Sequence, residues 1–201
     1  MRIGIDFDNT IANYDGVFRA AALERGLVSA DIGTSKNAVR DHLNGSGRKD
    51  AFTELQGYVY GARMDLARPY PGVAEALTKL RRAGHRLFVV SHKTRYPMLG
   101  PSHDLHAAAR GFLERQLLIG AQGFEAGDIH FELTKEEKVA RAATLGCEVF
   151  IDDLPEILRM PGFAPGLRAI LFDPEHQWAA EPFERHAAWD MIARAILGGA
   201  G

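Results

Sequence analysis

Short apolar runs alternate with amphipathic stretches along most of the 201-residue chain, and this alternation limits the possible folds. The runs are rich in Ile, Val and Phe and end at polar residues, as strands buried on both faces of a parallel sheet do. The stretches between them have helical spacing, and one begins with the capping-box sequence Thr134-Lys135-Glu136-Glu137. We therefore predict an α/β fold, a parallel sheet of five strands flanked by helices. The predicted strands are Arg2–Phe7, Arg86–Ser91, Asp128–Leu133, Glu148–Ile151 and Arg168–Phe172.

The segment between the first two predicted strands is too long for a single crossover helix. It contains three helix-like stretches, at residues 15–25, 35–43 and 50–60. A segment of this length inside a compact domain is typical of a small subdomain rather than a loop. We predict that residues 14–69 form a mostly helical cap, and that residues 1–13 and 70–201 form the sheet domain.

Composition excludes several classes of protein. The chain is 46% hydrophobic and 25% charged with a net charge of −2, which is ordinary for a globular protein and argues against disorder. Near-neutral charge gives no support for a nucleic-acid partner, because such proteins usually carry a basic face. No apolar run is long enough for a signal peptide or a membrane span. We expect a cytoplasmic protein without a nucleic-acid or membrane partner.

Acidic and hydroxyl side chains follow three of the predicted strands. Asp6 and Asp8 lie at the end of the first strand, Ser91 ends the second, and Asp152 and Asp153 follow the fourth. Ligands of open parallel sheets bind beyond the carboxyl ends of the strands, so these side chains are expected to meet at one edge. Two like charges about 4 Å apart cost on the order of 4 kcal/mol at an effective dielectric of about 20. The acidic cluster therefore favours a bound divalent cation, and Mg²⁺ suits carboxylate, carbonyl and water ligands.

These residues resemble the four motifs of the haloacid dehalogenase (HAD) superfamily of phosphohydrolases. Asp6-Phe7-Asp8-Asn9-Thr10 is similar to the first motif, and Ser91 to the second. A lysine at a helix start is similar to the third motif, and Asp152-Asp153 to the fourth. The motifs occur in the family's order and span the predicted sheet domain. The resemblance implies a HAD-like Rossmannoid fold in which a helical insertion after the first strand closes over a small-molecule substrate.

The resemblance also implies roles for residues of the first two motifs. Asp6 would attack phosphorus as the nucleophile and form an aspartyl-phosphate. Asp8 would protonate the leaving oxygen and later activate water, and Thr10 would orient Asp8. Ser91 and the backbone N–H of His92 would hold phosphate oxygens.

The implied metal site is a Mg²⁺ site built from the first and fourth motifs. Its ligands would be the carboxylates of Asp6 and Asp152 and the main-chain carbonyl of Asp8. Asp153 would join them, either directly or through a water molecule.

The lysine of the third motif has two candidates. Lys138 lies fourteen residues before Asp152, a spacing similar to that of relatives with a short final helix. Lys135 is nearer the predicted helix start. We favour Lys138 as the lysine that offsets charge on Asp6 and on the transferring phosphoryl group.

Together these features predict a Mg²⁺-dependent phosphatase, a phosphoric monoester hydrolase acting on a small phosphorylated metabolite as a monomer or homodimer. The alternatives are a phosphomutase or phosphotransferase of the same superfamily, or a catalytically silent binding module. A dehalogenase is disfavoured because Asp8 supplies the acid and base that phosphoryl chemistry needs. His92, Lys93 and Arg95 after Ser91 allow two interpretations, contact with substrate or a solvated loop.

Overall fold

A computed structural model of the protein describes residues 1–198, and a parallel sheet is its central feature. The strands are β1 (Arg2–Ile5), β2 (Ala12–Asn13), β3 (Arg68–Pro69), β4 (Arg86–His92), β5 (Ile129–Glu132), β6 (Val149–Asp152), β7 (Arg168–Phe172) and β8 (Glu184–His186). Six of them form the parallel sheet, in the order β5-β4-β1-β6-β7-β8. Strands β2 and β3 form a separate two-stranded sheet. The predicted α/β class and its five parallel strands are confirmed.

Helices lie between the strands and after β8. They are α1 (Val17–Glu24), α2 (Lys36–Gly45), α3 (Lys49–Tyr60), α4 (Val73–Arg82), α5 (Leu105–Arg115), α6 (Lys135–Thr144), α7 (Pro155–Leu158) and α8 (Trp189–Gly198). Helix α6 begins with the predicted capping box, in which Thr134 and Glu137 each bond to the other's backbone N–H. This helix packs against β4 and β5, while α4 packs against α8.

The sixth strand, β8, corrects the predicted number of five. It contains only three residues and pairs with β7 at the edge of the sheet. The guanidinium of Arg168 on β7 donates two hydrogen bonds of 2.7 Å to the carboxylate of Glu184 on β8. Short, charged edge strands are common in natural sheets, and they lack the apolar run by which a buried strand is recognised. The sequence therefore shows no signal for β8.

The central strand β1 is buried between β4 and β6. Ile3 and Ile5 are fully buried, and Gly4 lies opposite Phe150 of β6. A Cβ atom at Gly4 would lie 2.6 Å from the Phe150 ring, so this position requires glycine. The close approach lets the Phe150 ring pack against the strand that carries the first acidic motif.

The chain divides into two compact units. The first contains Met1–Ala12, Pro69–Lys93 and the described chain from Gln116 onward, and therefore the whole six-stranded sheet. The second contains Asn13–Arg68 and Thr94–Arg115. These units place residues 94–115 with the predicted cap segment, whereas the predicted boundaries assign them to the sheet domain. The boundaries at 14–69 and 70–201 stay a prediction, and residues 199–201 lie outside the described part of the chain.

The second unit contains the three helices α1, α2 and α3, at the helix-like stretches of the sequence, together with α5. Two glycines of the α3 region make its packing possible. A Cβ atom at Gly57 would lie 2.5 Å from the Pro97 side chain, and one at Gly61 would lie 2.5 Å from that of His103. Helix α3 therefore packs closely on the segment that leads into α5.

Within residues 1–198, no helix has the length and apolar character needed to cross a membrane.

Candidate active site

The carboxyl ends of β1, β4 and β6 lie side by side, and the acidic residues of the sequence motifs follow them. The backbone N–H of Asp6 donates a hydrogen bond of 2.9 Å to the carbonyl of Ile151. This bond continues the β1–β6 ladder one residue beyond the end of β1. Asp6 therefore lies next to Asp152, the last residue of β6, although 145 residues separate them in the sequence.

Asp6, Asp152 and Asp153 form one acidic cluster, in which a carboxylate oxygen from each lies within 4.8 Å of the others. Asp152 is fully buried and Asp6 nearly so, while Asp153 is partly exposed. The backbone N–H of Leu154 donates a hydrogen bond of 3.0 Å to Asp152 Oδ1, which fixes the orientation of that carboxylate. Oxygen ligands in this arrangement fit a hard divalent cation.

Lys138 is the lysine that the structure places in this cluster. Its Nζ lies 2.6 Å from Asp6 Oδ1 and 2.6 Å from Asp152 Oδ2, and its side chain is buried. Lys135, the other candidate, lies three residues earlier and forms a 2.6 Å ion pair with Glu156. Its side chain is 42% exposed. The turn of α6 that follows the capping box therefore directs Lys138, rather than Lys135, towards Asp6.

Burial and mutual charge shift the pKa values in the cluster. Burial raises the pKa of Asp152 to about 7, despite the ammonium of Lys138 beside it. Burial, together with the charges of Asp152 and Asp6, also raises the pKa of Asp153 above its usual range. For Lys138, burial alone would lower the pKa, but the Asp152 and Asp6 carboxylates outweigh it and raise the pKa above its ordinary value. One ammonium does not fully compensate three carboxylates, so a further cation would stabilise their ionised forms.

The loop after β1 carries Asp8 and Thr10. The carbonyl of Phe7 accepts hydrogen bonds from the backbone N–H groups of Ile11 and Ala12, which closes the loop into a tight turn. Asn9 within it has a left-handed backbone (φ 57°), a conformation that asparagine tolerates better than most residues. The buried Thr10 hydroxyl donates a hydrogen bond of 3.3 Å to Asp153 Oδ1. Thr10 therefore connects the first motif to the fourth, whereas the sequence predicts that it orients Asp8.

Trp189, the first residue of α8, anchors the same loop. Its buried indole Nε1–H donates a hydrogen bond of 3.0 Å to the carbonyl of Thr10.

Replacing Trp189 by Phe keeps an aromatic ring but leaves this carbonyl without the indole donor. We expect the free energy of unfolding in urea to fall by about 2 kcal/mol. Trp178→Phe, at a partly buried position, is the control, and equal losses for the two variants would contradict a role for the hydrogen bond.

Ser91 and His92 lie at the end of β4, next to β1. Val89 pairs with Ile5, so the register places Ser91 level with the residues that follow β1. Ser91 is buried and His92 is partly exposed. The structure therefore brings Ser91 to the same sheet edge as Asp6. The roles of Ser91 and His92 in holding phosphate stay predictions.

Lys93 also lies at this site. From the sequence alone, it could either contact substrate or lie in a solvated loop. Its side chain is buried, and its Nζ lies 2.7 Å from Asp8 Oδ2. The signal available in the sequence was the two-residue spacing from Ser91, because alternate residues of a strand point to the same face. Only the tertiary structure shows that Lys93, on this face just beyond β4, contacts Asp8.

The six-stranded parallel sheet, with acidic residues at the ends of β1 and β6, places the protein in the α/β class. No family model and no curated protein matches the chain in sequence. The chain is similar to known proteins in its three-dimensional structure.

A predicted phosphatase from Clostridium acetobutylicum superposes with a TM-score of 0.63 at 16% identity, covering 98% of each chain. A HAD family hydrolase from Deinococcus radiodurans R1, described with bound phosphate and sodium, has a TM-score of 0.58 at 17% identity and covers 98% of this chain and 95% of its own. A dehalogenase also matches, with a TM-score of 0.54 at 15% identity over 95% of this chain and 94% of its own. The chain therefore has the fold of HAD-superfamily hydrolases, phosphatases and dehalogenases, as the motifs predict.

Proposed function

We propose that the protein is a Mg²⁺-dependent phosphohydrolase that cleaves the phosphate monoester of a small metabolite through an aspartyl-phosphate. One observation carries this proposal: Asp6 is held by Lys138 at the carboxyl end of β1, with Asp8 two residues further along. A buried carboxylate beside a buried ammonium is suited to attack a phosphate dianion, because the ammonium offsets the combined negative charge. The hydrolase fold supports an enzyme of this kind.

Asp6 is the nucleophile of the proposed reaction. Its carboxylate attacks phosphorus while Asp8 gives a proton to the departing ester oxygen, so that the alcohol leaves neutral. Asp8 then takes a proton from the water that attacks the aspartyl-phosphate, which releases orthophosphate and restores Asp6. Asp8 suits both steps because its side chain is 19% exposed, whereas Asp6 is almost completely buried.

Ser91, the backbone N–H of His92 and Lys138 bind the phosphate oxygens in this proposal. The Ser91 hydroxyl and the N–H are neutral donors at the end of β4, and Lys138 supplies a positive charge from α6. Donors held rigidly by strand and helix ends need little reorganisation as charge moves during the reaction.

The acidic cluster is the proposed Mg²⁺ site. Asp6, Asp152 and Asp153 would hold the ion together with the main-chain carbonyl of Asp8. The raised pKa values of Asp152 and Asp153 support a cation here, because a neighbouring positive charge would stabilise the ionised form of both carboxyl groups. When bound, Mg²⁺ would neutralise charge on the phosphate and favour its approach to Asp6.

A screen of phosphorylated small molecules tests the proposal. Purified protein is incubated with each phosphate ester, with Mg²⁺ or with EDTA, and orthophosphate is measured with malachite green. We expect Mg²⁺-dependent release from at least one ester. If no ester releases phosphate and 2-haloacids release halide instead, the protein is a dehalogenase and the proposal is wrong.

Mg²⁺ binding is expected to depend on pH through Asp152. Burial raises the pKa of this carboxyl to about 7, so below that pH the ion must displace a proton. The affinity should therefore fall as the pH drops below about 7, by about tenfold per pH unit for each proton that the ion displaces. Isothermal titration calorimetry in two buffers of different ionisation enthalpy measures the protons released. Equal affinity on both sides of neutrality, with no proton release, would contradict this assignment.

A further inference from the structure

Lys93 lies just beyond the end of β4, and its backbone is held there by the sheet. Its N–H donates a hydrogen bond of 2.8 Å to the carbonyl of Glu132, the last residue of β5. The β4–β5 ladder therefore extends one residue past His92. Buried Ser91 and buried Lys93 flank the partly exposed His92, as expected where alternate residues point to one face.

The side chain of Lys93 ends at Asp8. The side chain is 3% exposed and its Nζ lies 2.7 Å from Asp8 Oδ2, while the Asp8 side chain is 19% exposed. The ammonium also lies 5.5 Å from the centre of the Phe7 ring. Lysine is almost never fully buried unless it is paired. The pair thus has a buried cationic end and a partly exposed carboxylate end.

The two buried lysines of the site contact different carboxylates. Lys138 contacts Asp6 and Asp152, and Lys93 contacts Asp8. Buried ion pairs often add no stability compared with well-packed apolar residues of similar volume. Stability alone is therefore a poor reason for a second buried ammonium. Its contact with the one acidic residue that the proposed function uses for proton transfer indicates a role in orienting that residue.

We propose that Lys93 is a positioning residue, whose ammonium holds Oδ2 of Asp8 so that Oδ1 delivers the proton to the leaving oxygen. This inference rests on the proposed function. As Asp6 bonds to phosphorus, the bond from phosphorus to the ester oxygen breaks and that oxygen takes the proton from Oδ1. Water then attacks phosphorus and returns a proton to Oδ1, while the bond from Asp6 to phosphorus breaks. Lys93 keeps its own proton throughout.

The test compares two kinds of leaving group in Lys93→Met, which keeps an unbranched side chain, one atom shorter, but removes its charge. p-Nitrophenolate leaves as a stable anion and needs little protonation, whereas the alkoxide of an alkyl phosphate needs a proton. We expect kcat to fall about 100-fold or more for an alkyl phosphate and less than about tenfold for p-nitrophenyl phosphate. KM should stay within about threefold for both substrates.

Three further variants sharpen the comparison. Asp8→Asn should show the same leaving-group dependence, and the double variant Lys93→Met/Asp8→Asn should lose little more than Asp8→Asn alone. Lys93→Arg, which keeps a cationic donor, should recover part of the activity on alkyl phosphates. Lys79→Met, on the exposed side of α4, is the matched control and should leave kcat and KM unchanged.

Other outcomes overturn the inference. Equal losses of kcat with both leaving groups, or a raised KM with unchanged kcat, would show that Lys93 binds substrate or only supports the fold. If Lys93→Met does not fold, Lys93→Gln is measured in the same way, and failure of both to fold assigns Lys93 a structural role. Absence of phosphate release by the wild-type protein would instead refute the proposed function, which separates the two failures.

Discussion

Replacing Asp6 by Asn is expected to abolish phosphate release while the protein stays folded. The amide cannot attack phosphorus, so no aspartyl-phosphate forms, and we expect kcat to fall about 10⁴-fold or more. The fold should survive because the Asn carbonyl oxygen can still accept the hydrogen bond that Lys138 donates to Asp6 Oδ1. Malachite-green assays with Mg²⁺ and the best ester from the screen measure the loss.

A control substitution and a ligand test whether the loss of phosphate release is specific to Asp6. Asp190→Asn, at a carboxylate that is 49% exposed on α8, should leave activity unchanged. Beryllofluoride with Mg²⁺, a mimic of the aspartyl-phosphate, should bind the wild-type protein and not Asp6→Asn. If Asp6→Asn kept most of the phosphate release, Asp6 would not be the nucleophile and the proposed mechanism would be wrong.

Replacing Lys138 by Met is expected to cause a large loss of stability. The side chain is 3% exposed and contacts two carboxylates at 2.6 Å. Removing one partner of a buried ion pair leaves uncompensated buried charge, which typically costs about 3–5 kcal/mol. Urea unfolding in EDTA measures this loss, and saturating Mg²⁺ should recover part of it. Phosphate release should also be lost, because no ammonium remains beside Asp6.

Lys135→Met is the control on the same helix. Its ion pair with Glu156 is half exposed, and exposed pairs contribute about 0–1 kcal/mol, so the variant should unfold close to the wild-type midpoint. In the double variant Lys138→Met/Asp6→Asn, removal of one carboxylate should restore part of the stability lost in Lys138→Met. Equal, small losses for Lys135→Met and Lys138→Met would contradict the role given to the buried pair.

Local patterns were sufficient to predict much of the fold. The apolar runs at the five predicted strands, and the capping box before α6, are set by residues close together in sequence. The position of Asp6 and Asp152 at one sheet edge also followed from the sequence, because parallel strands bring their carboxyl ends together. Strand β8 was missed because Glu184-Arg185-His186 has no apolar pattern and is held by pairing with β7.

The sequence by itself determined the α/β class, the positions of five strands of the sheet and the set of acidic residues that meet beyond the strands. Only the tertiary structure showed that Lys138, and not Lys135, contacts Asp6, and only it showed that Lys93 contacts Asp8. The physical reason is that periodicity and strand ends are local properties, whereas an ion pair depends on register and side-chain reach. Asp8 and Lys93 are 85 residues apart in sequence, and a distance of 2.7 Å between their charged atoms exists only once β1 and β4 pair.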